Sequence, residues 1–155
     1  MGRFFANITF FVLAILVVLV VYDASMRYLF SAGSTALQEL EWHLFDVVIL
    51  LGVVHTFKEN SHVRVDIFYE HYTQKTKLLV DMFALLFFVI PFSILLAVLG
   101  FDFAHLSFIQ NEMSSDPGGL PYRWIVKSLI VVAFTLLTLE SVLELVAKFK
   151  KWRAL

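Results

Sequence analysis

Cysteine is absent from this chain and charge is scarce: 12 Lys and Arg with 13 Asp and Glu make up 16% of 155 residues, against 60% hydrophobic. The first absence excludes a disulfide framework, a thiolate metal site and a cysteine nucleophile. The second excludes an ordinary water-soluble domain or a disordered chain. A soluble fold of this length still shows about a third of its surface to water and needs more polar cover than these side chains give. A net charge of -1 offers no basic surface to nucleic acid. Proline and glycine are few, 3 and 6, and two of each fall in the single run SSDPGGLP from Ser114. Internal repeats and low-complexity segments are missing too. What is abundant is apolar side chain, including 17 Phe, so lipid is the solvent that fits.

The sequence predicts an all-α membrane protein, one membrane domain over residues 1–155 with four transmembrane helices at about 4–30, 36–57, 78–106 and 122–147. Residues 4–22 hold no Asp, Glu, Lys, Arg or His, and at ~1.5 Å per residue they cross a hydrocarbon core of ~30 Å. A signal-peptide core is usually ~7–15 residues and is followed by an A-x-A site, which is lacking here, so a retained anchor is expected. From Trp42 to Phe57 the second segment is apolar apart from His43, Asp46 and His55. From Met82 to Phe101 the third holds no charge and is interrupted only by Pro91, which a membrane helix accommodates as a kink. In the fourth only residues 128–139 are uncharged, so it must recruit flanking residues to span. The loops are too short for a separate enzyme core.

Lys and Arg near the spans set the orientation. Nine lie on one side (Arg3, Lys58, Arg64, Lys75, Lys77, Lys148, Lys150, Lys151 and Arg153) and three on the other (Arg27, Arg123 and Lys127), which predicts cytoplasmic termini. The opposite face then carries Asp23, Glu39, Glu41, Asp102, Glu112 and Asp116, while Trp42, Trp124 and Trp152 fit the aromatic belts.

A charge deep in a membrane costs ~3 kcal/mol on insertion scales, so Asp46, about ten residues into the second helix, is a functional candidate. It reads either as an ion or proton site or as a hydrogen-bonding partner for Ser25, Tyr28 or another subunit. Glu140, Glu144 and Lys148 recur every four residues and form one stripe, either snorkelling to the headgroups or packed on a partner. His43 and His105 could face each other near the outer ends of two helices. Glu39 and His43 share a helical face but are an incomplete metal site. Gly52 and Gly100 suggest close helix contacts without a G-x-x-x-G pattern. The segment KENSHVRVDIFYEH from Lys58 alternates His62, Arg64 and Asp66 with apolar residues, giving a short amphipathic connector at the headgroups between helices 2 and 3.

Four passages in this order, DASMRYLF from Asp23, ELEWHLFD from Glu39, HTFKENSHVRVDIFYE from His55 and SDPGGLPYRWIVKSL from Ser115, resemble the small four-helix Q-type (DctQ-type) subunit of tripartite ATP-independent periplasmic (TRAP) transporters. The resemblance covers nearly the whole chain. It implies a multi-pass subunit of a bacterial or archaeal inner membrane, in a system where a periplasmic binding protein captures an organic acid and a large membrane subunit moves it with sodium. The small subunit would then scaffold the large one and help dock the binding protein, with no enzyme activity or cofactor of its own and sodium coupling in the large subunit. On that basis Glu39, Glu41, Asp102, Glu112, Asp116 and Arg123 are expected at the docking surface. Asp46, Asp81, Glu140 and Glu144 are expected against the large subunit, and His62, Arg64 and Asp66 at the cytoplasmic interface, with membrane lipids around them.

Two other classes compete. A self-sufficient four-helix exporter needs a carboxylate midway along a helix facing a cavity; the first helix offers only Asn7 and Thr9 before Tyr22, so Asp46 would have to serve. A b-type membrane cytochrome needs paired histidines at matched depth, which His55, His62 and His71 do not supply at the other surface.

Overall fold

The computed structural model describes residues 2–58 and 71–155. Among these residues there is no strand, and four helices account for most of the chain: α1 (Gly2–Phe30), α2 (Thr35–Lys58), α3 (Gln74–Ile109) and α4 (Trp124–Arg153). Each is long and apolar enough to cross a membrane, as the hydropathy predicts. The amphipathic connector, with His62, Arg64 and Asp66, lies outside the described residues.

Local chemistry sets the helix ends. The Ser34 hydroxyl accepts from the Leu37 backbone N–H at 3.4 Å to open α2, and Thr73 accepts from the Thr76 backbone N–H at 3.3 Å to open α3. At the far end of α3, Asn111 takes a left-handed φ of 47°; its N–H reaches Phe108 O at 3.1 Å and the Glu112 N–H reaches Ser107 O at 3.0 Å. That pair of bonds is a Schellman closure, with Asn where Gly is more usual. Helix α3 is 36 residues long, ~54 Å at the α-helical rise, so it either projects beyond the hydrocarbon or tilts within it. It is not uniformly α-helical. Leu85–Val89 widens into a π turn, in which the Ile90 N–H reaches back to Leu85 O. Pro91 follows directly and can neither donate nor tolerate the carbonyl one turn earlier, and the wider turn relieves that clash.

Packing follows small residues. Buried on α3 beyond its π turn are Ser93, Gly100 and Ser107, and on α4 Ala133, Leu137 and Ser141. The first three recur every seven residues and the second three every four, so each set forms one stripe where backbones can approach closely. At Gly100 an added Cβ would lie 2.9 Å from Ile130 Cγ2, whereas Gly52 has nothing within 4 Å. Gly100 therefore marks a close contact as expected, and Gly52 does not. Thr138 Oγ1 bonds Ser93 Oγ across the seam at 2.9 Å.

A second seam joins α2 to α4 through Val54, Ala133 and Leu137, flanked by Leu50, Phe57, Phe134 and Leu136. Among the described residues α1 packs on α2, α2 on α4 and α4 on α3. The result is two helical hairpins joined along one line, an open series with α1 and α3 at its ends. Among the described residues few side chains are buried in it: six apolar ones (Leu16, Val54, Leu78, Leu85, Ala133 and Leu137) reach core burial, and much of the Phe, Leu and Val surface faces outward.

Candidate functional site

Most of the charged side chains gather at the two ends of the helices. At one end the α3–α4 loop folds over the start of α2. Glu39 accepts from the Ser114 hydroxyl and from the Leu120 backbone N–H, the latter at 2.6 Å. The loop is braced internally by Ser114 N–H to Leu120 O at 3.2 Å and Asp116 N–H to Ser114 Oγ at 3.1 Å. Gly119 is required by this arrangement, because an added Cβ would fall 2.4 Å from Ser114 Cβ and 2.9 Å from a Glu39 carboxylate oxygen. Glu112 pairs with Lys127, whose ammonium also lies 3.9 Å from the centre of the Phe103 ring. The hydrogen bond from Lys127 holds the Glu112 carboxyl below its ordinary range.

Beside that loop is a polar cleft of about 280 Å³ lined by Glu39, His43, Asp46, Asp116 and Arg123, with Trp42 at its side. The structure thus brings together three residues expected at a docking surface, Glu39, Asp116 and Arg123, with Asp46, expected against a large subunit. Asp46 is exposed near the middle of α2. Ser25, its conceivable partner, instead donates to Val21 O at 2.7 Å. Glu41 lies apart from the cleft, close enough to α1 to feel the charges of Asp23 and Arg27. Asp102 is exposed on α3, and His105 stacks on Phe101 with ring centres 5.8 Å apart.

Asp23 is a site that sequence reasoning treated only as part of an acidic face. It is 1% exposed, pairs with Arg27 one turn on, and keeps one carboxylate oxygen without a hydrogen-bond partner among the described residues, as Glu41 does. The signal available was the four-residue spacing of Asp23 and Arg27.

At the other end Lys148 of α4 bridges two acids: Asp81 of α3 at 2.7 Å and Glu144 of α4 at 3.2 Å. Lys148 and Asp81 side chains are 15% and 13% exposed. Two of the four residues expected against a partner thus also tie the chain to itself. Glu140 is half-buried one turn before Glu144.

Ionisable groups mostly near the helix ends, a hydroxyl pair along the α3–α4 seam with the Asp81–Lys148 bridge at one end of it, and four membrane-length helices define a multi-pass membrane protein whose polar side chains serve largely to clamp helices and loops together. Residues 16–151 match the family model of the DctQ component of the tripartite ATP-independent periplasmic transporters, and the chain belongs to that family. It is a small membrane subunit of a TRAP transporter, in a family of transporter components and not of enzymes, and works in association with other components of that system. No match was found among curated proteins.

Proposed function

We propose that this chain is the non-transporting subunit of a sodium-driven uptake system for an organic acid, placed in the inner membrane of a bacterium or archaeon with both termini in the cytoplasm. It braces the large membrane subunit and helps seat a periplasmic substrate-binding protein. The observation that carries the reading is Asp46, a carboxylate exposed near the middle of a membrane-spanning helix. Lipid is a costly neighbour for such a group, by ~3 kcal/mol, so a protein partner or a water-filled cleft must cover it. The cleft supplies Glu39, His43, Asp116 and Arg123 around it, a mixed-charge surface suited to a polar partner. The open helix series supports the same conclusion, since it leaves apolar surface for a larger body to cover.

The test is co-purification with the large subunit and salt-dependent binding of the periplasmic protein. Asp46→Leu is expected to weaken the first and Asp116→Lys the second, with the Asp116 effect shrinking as salt screens it. Glu39→Gln separates loop support from docking, because Glu39 is already engaged by Ser114 and Leu120. Unchanged assembly with Asp46→Leu together with unchanged docking with Asp116→Lys would refute the proposal.

A further inference from the structure

The first half of α3 and the last turns of α4 enclose a groove that neither polar cluster uses. Leu79 and Phe83 form one wall and Val146 and Phe149 the other, around a volume of about 920 Å³. That is toward the top of the ~300–1,000 Å³ usual for small-molecule sites. Among the described residues its only charged lining residues are Lys150 and Arg153, both in the last turn of α4.

Charge bookkeeping at this end is asymmetric. Lys148 is engaged by Asp81 and Glu144, whereas Lys150 and Arg153 have no carboxylate partner among the described residues. The Asp81–Lys148 bridge ties α3 to α4 beside this groove. The groove is therefore apolar along its length and electropositive at one end. A purely apolar helix laid into it would leave both cations unpaired, and a zwitterionic headgroup would answer them with no net charge.

We infer that this groove binds an anionic phospholipid, with its acyl chains along Leu79, Phe83, Val146 and Phe149 and its phosphate at Lys150 and Arg153. Snorkelling cations at the headgroup level and an acyl-sized apolar trough are the complement of that amphiphile. The site depends only on this chain's own residues and not on the transport role proposed above.

The full chain in mild detergent is offered phosphatidylglycerol or phosphatidylcholine with identical acyl chains, and retained lipid is counted by native mass spectrometry. Phosphatidylglycerol should be retained roughly thirtyfold better, a factor of about five for each cation near an anionic group. Lys150→Gln with Arg153→Gln should bring the ratio close to one while helical circular dichroism stays unchanged, and Lys151→Gln, outside the groove, should leave it intact. Val146→Trp, which fills the trough, should lower retention of both lipids. A benzophenone amino acid at Phe83 in cells should crosslink to phospholipid. Equal retention of the two lipids by the unaltered chain, an undiminished ratio in the double variant, or crosslinking of position 83 to a membrane protein would each overturn the assignment.

Discussion

Replacing Lys148 by Met tests whether the acids beside it are structural. The substitution removes the ammonium that Asp81 meets at 2.7 Å and Glu144 at 3.2 Å, and leaves both carboxylates without that shared cation. Removing one partner of a fully buried pair costs ~3–5 kcal/mol. Here the side chains keep 13% to 33% of their exposure, so water answers part of the loss. We expect ~2–3 kcal/mol for Lys148→Met and ~1–2 kcal/mol for Asp81→Asn, which leaves the Lys148–Glu144 contact in place. The double variant should fall short of the sum by ~1–2 kcal/mol, because each single change spoils the same bond. The assay is reversible unfolding in mixed micelles with added dodecyl sulfate, followed by circular dichroism. Strict additivity within ~0.5 kcal/mol, or a larger cost for Asp81→Asn than for Lys148→Met, would refute the bridge as a stabilising element.

Two further outcomes can be checked in the same system. Gly100→Ala should destabilise by ~1–2 kcal/mol, because the new methyl meets the stiff β-branched Ile130, while Gly52→Ala should be neutral or stabilising by up to ~1 kcal/mol, since only helix propensity changes there. The Glu112 carboxyl is held below its ordinary value by Lys127, so its contribution is fully present above about pH 4.3 and is lost as pH falls through the lowered value. The hydrogen-exchange protection of residues 110–123, relative to the intrinsic rate at each pH, should therefore fall on acidification below that point, and Glu112→Gln should remove this pH dependence.

The helices were legible because long uncharged runs have few other stable fates, and the marginal fourth span succeeds by recruiting charged residues, with α4 running from Trp124 to Arg153. The Glu144–Lys148 pair was legible from its four-residue spacing. Asp81 was not legible as its third member, because it comes from 67 residues away and only the α3–α4 register brings it there. Glu39 likewise reads as a free acid on an outer face, yet loop groups 75 and 81 residues later claim it. The small-residue stripe on α3 is not a four-residue glycine pattern and so does not stand out in the sequence: Ser93, Gly100 and Ser107 repeat every seven. The depth of Asp46 could be counted along the sequence; the cleft it shares with Asp116 and Arg123 could not.

The order in which the helices touch differs from the order in which they are made. α1 finds its neighbour as soon as α2 emerges, but among the described residues the one extensive neighbour of α3 is α4, and the seam from Val54 to Ala133 and Leu137 also waits for that last helix. During synthesis α3 must therefore wait for α4 to find its packing partner within this chain. A chain interrupted before α4 would hold one finished hairpin and one solitary helix with its stripe of serines and glycine bare, a form that membrane quality control could tell from a complete subunit.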